Sequence, residues 1–232
     1  MKSLSCAILA GVAVFFMLGC KTTVDYAKKY PNMVANVDPI SAGTIEAEFD
    51  RIFSSKLDKT EIGVVFDPRL NAAVLEFKYE FVQCRQFWDQ AARQQFVTAL
   101  ELYKTNYTER TLINKYKKTR AIYGKAKGRL EWETFKYAQT RVGYSDIELG
   151  YRFMGETPFF SAVMRSAKEE KSNGNSSRRL DSQQINMYFT RAQADDLVKL
   201  FDQSYLMGLL ENNDSLKPEK PLVVDSYHEF GD

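Results

Sequence analysis

The chain predicts an α+β fold: a single domain with a mostly antiparallel sheet of about six or seven strands and two or three amphipathic helices packed on one face. Three stretches predict it. Ala73, Leu75, Phe77, Tyr79 and Phe81 alternate with Val74, Glu76, Lys78 and Glu80, the period-two pattern of a half-buried strand. From Asp89, a good N-cap type, Ala92, Phe96, Ala99, Leu100, Tyr103 and Tyr107 keep helical spacing, with Arg93, Gln94, Gln95, Glu101 and Lys104 on the wet side. Thr190-Arg191-Ala192-Gln193 matches a capping box and opens a stripe of Leu197, Leu200, Phe201, Tyr205 and Leu209 that reaches about Asn212.

The other elements follow in order. Ser41 to Ser54 places Ile45, Phe49, Ile52 and Phe53 at helical spacing with acids early, which predicts a first amphipathic helix. Glu61 to Phe66 reads as a strand, and Asp67-Pro68-Arg69-Leu70-Asn71 turns it into the Ala73 strand as a hairpin. Lys117 to Gly124 and Arg129 to Phe135 read as two strands joined by a Lys-Ala-Lys-Gly turn. Asp146 to Met154 alternates Ile147, Leu149, Tyr151 and Phe153, and Gly155-Glu156-Thr157 turns it into Pro158 to Ala167. Residues 168–184 lack aromatics and read as an exposed, mobile loop before a short strand, Ile185 to Phe189. Strands following one another this way pair most simply as a meander. The globular domain therefore spans residues 41–212, followed by an irregular tail, 213–232, in which Leu222-Val223-Val224 is a candidate edge strand.

The first twenty residues carry an address. Met1-Lys2 gives a positive start, Leu4 to Leu18 is an uncharged and mostly apolar run, and Gly19-Cys20 ends it. The run is shorter than the roughly 20 apolar residues that cross a bilayer core. The Met17-Leu18-Gly19-Cys20 junction resembles the lipobox of bacterial lipoproteins, with Met17 where Leu is usual. That resemblance implies a signal peptide of residues 1–19, cleavage before Cys20 and diacylglycerol on its thiol. Residues 20–40 would then be a lipidated, flexible tether, since they hold Pro31 and Pro39 and no sustained period. In enterobacterial lipoproteins an Asp after the cysteine retains the protein at the inner membrane. Lys21 resembles the members sent to the outer membrane, facing the periplasm or the cell surface.

Cleavage would leave 213 of the 232 residues and, with Lys2 gone, a formal charge of +1 instead of +2. So balanced a chain has little whole-body attraction for nucleic acid. Membrane attachment would rest on acyl chains, worth roughly 0.8 kcal/mol per buried CH₂. With Cys6 removed and Cys20 acylated, Cys84 is the one thiol left. An intramolecular disulfide is thereby excluded, and Cys84 reads as a small buried hydrophobe; the alternative is an intermolecular disulfide.

Motifs for chemistry are scarce. The single histidine, His228, lies in the irregular tail, so neither Ser-His-Asp nor Cys-His machinery is assembled. Zinc motifs, a P-loop, G-x-G-x-x-G and G-x-S-x-G are absent from the sequence. No catalytic residue, metal site or cofactor is therefore assigned. Glu131 and Glu133 flank Trp132 on one strand face, but neighbours on one face usually meet only water. A basic cluster stands out more: Lys115, Lys117, Lys118, Arg120, Lys125, Lys127 and Arg129, with Tyr116 and Tyr123 interleaved and no acid among them. It is a candidate surface for anionic headgroups or another acidic envelope polymer, set against a plain solvated strand face. These readings together describe a membrane-anchored envelope lipoprotein acting as a non-catalytic interaction or assembly module, with an envelope protein or anionic polymer as partner. A carrier holding a lipid, glycan or other small ligand between sheet and helices is the alternative, and a hydrolase comes third.

Overall fold

A computed structural model describes residues 29–51, 56–115, 119–134, 140–170 and 180–213. They form nine strands, more than the six or seven expected: β1 (Ile40–Asp50), β2 (Leu57–Asp67), β3 (Ala72–Tyr79), β4 (Val82–Trp88), β5 (Arg120–Thr134), β6 (Thr140–Met154), β7 (Thr157–Met164), β8 (Lys168–Glu169) and β9 (Ile185–Phe189). Three helices accompany them: α1 (Gln90–Thr108), α2 (Arg191–Phe201) and α3 (Gln203–Glu211). The α+β class stands.

Helices on one face of an open sheet are not what forms. The strands run β5-β4-β3-β2-β1-β9-β7-β6, and β6 pairs back to β5, closing an eight-stranded antiparallel barrel; β8 continues the β7 position along β6. The alternation dictates this closure. Ile45, Ala47 and Phe49 of β1, Ile62, Val64 and Phe66 of β2, and Leu75, Phe77 and Tyr79 of β3 all point inward and are buried. Rolling the sheet up buries every inward row at once and removes the exposed edges that invite aggregation. Outward residues include Glu46, Glu61, Glu76, Lys78, Lys125 and Lys127, the pattern of a barrel in water rather than one wearing an apolar lipid-facing band.

The helices close one end. Both α1 and α2 leave the C-terminal ends of their preceding strands, β4 and β9, at the same end of the barrel. Asp89 caps α1 by accepting the Ala92 N–H at 2.8 Å, and Thr190 with Gln193 forms the expected capping box on α2; a cap of this kind is worth about 1 kcal/mol. Phe96 of α1 drives into the barrel and meets Trp88, Phe160, Phe189 and Phe201 edge-on, with centroids 5.1 to 6.0 Å away. Rings therefore fill the space between strands and helices. Buried Arg93 ties the helices down, donating to the Phe201 carbonyl (2.7 Å), the Asn71 carbonyl (3.3 Å) and Gln203 Oε1 (2.8 Å). Among the described residues, every buried core side chain lies between Ala42 and Leu210.

Several local expectations are corrected. Residues 40–50 are strand β1, not the start of a helix, and pair with β2 along their length. Residues 120–134 are one strand rather than two with a turn between. The last helix breaks at Asp202, whose extended backbone (φ −63°, ψ 129°) ends α2 while its carboxylate caps α3. The loop 168–184 is anchored at both described ends, with Glu169 and Ser182 buried. Within 20–40, the stretch expected as a tether, residues 34–38 are bonded to the domain. Val34 N–H donates to the Pro68 carbonyl (2.9 Å), and Arg69 donates to Asn36 and Asp38 at 3.0 Å each, pinning residues 34–38 to the β2–β3 turn. The edge strand expected in the tail lies outside the described residues.

Candidate functional site

At the barrel end opposite the helices, no helix among the described residues covers the inward side chains. Here β3 finishes at Tyr79 and β4 begins at Val82; the intervening hairpin tip carries Phe81, 71% exposed. Between this corner and β5 lies an apolar cavity of about 120 Å³ lined by Tyr79, Val82, Cys84, Trp132, Ile185 and residues 180–183. Alternation puts Tyr79, Cys84 and Trp132 on the inner face, and the register pairs Cys84 with Trp132 directly across β4 and β5.

Residues 180–183 form the remaining wall because polar bonds hold them there. Ser182 N–H donates to the Ala167 carbonyl (2.9 Å), and Ser182 Oγ accepts from Ala167 N–H (2.8 Å). Leu180 N–H donates to Glu169 Oε2 (2.9 Å). That same carboxylate oxygen takes a hydrogen bond from Arg141 at 2.6 Å, and both side chains of this ion pair are about 95% buried. A buried charge pair of this kind is tolerable only when its hydrogen bonds are made. The strap over the cavity is thus held to the barrel through charge.

Electrostatically the cavity is quiet. Burial pushes the Cys84 thiol up to about 12, so it stays protonated at neutral pH, a poor nucleophile. Cys84 is a free, buried thiol, 1% exposed. Burial, followed by the nearby carboxylates of Glu80 and Asp50, also pushes the Tyr79 hydroxyl up to about 12, and it donates to the Asp50 carbonyl at 2.9 Å.

The basic cluster is only partly brought together. Lys117, Lys118 and Cys20 lie outside the described residues. Lys115 is exposed beyond α1. Arg120, Lys125, Lys127 and Arg129 all stand on β5, but β6 sets acids among them: Lys125 faces Glu148 and Lys127 faces Asp146 in the register. Arg129 binds Glu131, which also accepts from Arg85 at 3.1 Å. Their charge is therefore interleaved with carboxylates from the same and the neighbouring strands. Glu131 is 9% exposed between its two arginines, and so serves as the centre of an outer-face ion-pair network; its neighbour Glu133 faces Thr140 in the register.

Sequence reasoning did not find the cavity. Trp132 and Tyr79 sat on recognisable strands, but Cys84 and Val82 belong to β4, whose inward Gln86 breaks the apolar alternation. Among the described residues no three His, Cys, Asp or Glu side chains converge as a metal would need, and no helix is long and apolar enough to cross a membrane.

No curated protein and no solved structure matches the chain. A family model described as "Uncharacterised Treponema protein" matches residues 40–208, from the first residue of β1 into α3. It covers most of the chain and all nine strands, and the protein belongs to that family.

Proposed function

We propose that the protein is an exported lipoprotein, acylated at Cys20, that works in the cell envelope as a non-catalytic binding module and holds the open end of its barrel away from the membrane. The observation that supports this reading best is where the chain enters the domain. Residues 34–38 are fastened to the Pro68-Arg69 turn at the helix-capped end, and β1 starts there. Eight residues, 21–28, separate Cys20 from Lys29. Fully extended they reach at most about 30 Å. An acylated Cys20 would keep the helices near the bilayer, and the 11-residue β1, tilted as barrel strands are, would carry the opposite end a further ~28 Å out.

Two measurements test this. In its host the wild type should lose residues 1–19, gain acyl mass and enter the detergent phase, and Cys20→Ala should do none of these; a water-soluble, unacylated wild type removes the anchor. With the protein in membranes, a fluorophore at Gln94→Cys on α1 should be quenched by headgroup-labelled lipid, and one at Phe81→Cys should not. The reverse order overturns the orientation.

A further inference from the structure

The open-end cavity goes beyond the anchoring reading and stands whether or not Cys20 is acylated. Its volume, about 120 Å³, approaches that of the engineered apolar cavity, roughly 150 Å³, that takes up benzene. One ring fits; an acyl chain does not. The wall chemistry agrees: the Trp132 indole and the Tyr79 ring offer aromatic surface, Cys84 a soft protonated sulfur, and Val82 and Ile185 branched aliphatic groups. The polar groups in the wall are already engaged, Tyr79 Oη on Asp50 and Ser182 Oγ on Ala167 and Gln183, so a guest has no wall polar group to satisfy. Polar chemistry sits at the rim, where Asp181 and Gln183 are exposed, and among the described lining residues none is a lysine or arginine. The Asp181 carboxylate at the rim disfavours an anionic guest.

The geometry points to a binding site for a single small aromatic ring carrying a neutral or cationic polar substituent, its ring between Trp132, Tyr79 and Cys84 and its substituent at Asp181 and Gln183. The chain from Lys21 onward suits the test, because it includes every described core residue and Cys84 is then its only thiol. Benzylamine, benzyl alcohol and benzoate are titrated while tryptophan emission and the alkylation rate of Cys84 are followed. Benzylamine and benzyl alcohol should shift the emission with dissociation constants on the order of 1 mM, a reasonable affinity for so few atoms. Both should slow alkylation of Cys84, and benzoate should bind more weakly. Trp132→Phe should abolish the emission change although Trp88 remains in the helix-capped core. Val82→Phe, which fills the cavity from its half-buried lip, should weaken binding at least roughly tenfold. No shift and no protection with any ring overturns the site. Unchanged affinity in a folded Val82→Phe variant moves the ligand elsewhere and also overturns it, and benzoate binding as well as benzylamine removes the role given to Asp181.

Discussion

The two ends of this barrel solve the same problem in opposite ways. Rolling up a sheet leaves two circular openings, each exposing inward side chains unless something covers them. At one end the covering is apolar and made from regular structure: α1 and α2 insert Phe96, Leu197 and Phe201 among Trp88, Phe160 and Phe189. At the other, among the described residues, the covering is an irregular strap held by Ser182 and by the buried Arg141–Glu169 pair. Apolar packing tolerates no gap without loss, whereas a strap hung on a few directional bonds leaves room beneath it. The cavity lies at the second end for that reason.

The contrast breaks most readily at Phe96. Phe96→Ala should lower the unfolding free energy by about 4 kcal/mol, through lost burial and the void left among four rings. A urea titration measures it. A loss below about 2 kcal/mol would mean that the helix layer collapses into the gap and that this end is less rigidly packed than its geometry implies.

At the open end the sensitive group is a charge. Arg141→Met leaves Glu169 buried without its partner, and removing one member of such a pair costs about 3 kcal/mol. Adding Glu169→Gln should recover part of this, because the amide oxygen still accepts from Leu180 N–H and no charge is stranded. If Arg141→Met alone is as stable as wild type, water reaches the pair and the strap is not held through it.

The same contrast explains what could be read in advance. The helix-capped end was legible because its parts are local: the α1 stripe, the Asp89 cap and the Thr190 capping box each lie within one continuous stretch. Sequential strand pairing was legible too, and the barrel follows it except at β8 and β9. Strand β1 read as a helix because Ile45 and Phe49, four apart, satisfy both periods, and the small Ala47 between them hides the alternation. Strand β5 read as two because Gly128 between basic residues imitates a turn. Its glycine serves packing instead: a Cβ there would stand 2.3 Å from Gln86 Nε2 and 2.5 Å from the Phe87 carbonyl. Closure and the cavity had no local signature. The ring closes through β5–β6 while β5 also holds β4, and the cavity draws on positions from 79 to 185 that only closure unites.

The smallest effect probes the helix-capped end through pH. The Asp202 carboxylate accepts from Ser204 Oγ and from the Tyr205 N–H (2.9 Å), and these bonds, the Ser204 one foremost, hold its pKa below the ordinary aspartate value. A depressed carboxylate stabilises the fold above its unfolded pKa, near 3.9, and loses that contribution as pH falls through the folded value. Asp202 is exposed, so solvent screening keeps the effect below about 1 kcal/mol. Asp202→Asn keeps a competent N-cap without the charge. Its deficit against wild type should therefore be measurable at pH 6 by urea midpoints and shrink toward pH 2. A deficit independent of pH would assign the cost to lost cap geometry, and the α2–α3 break would then depend on the shape of the side chain and not on its ionisation.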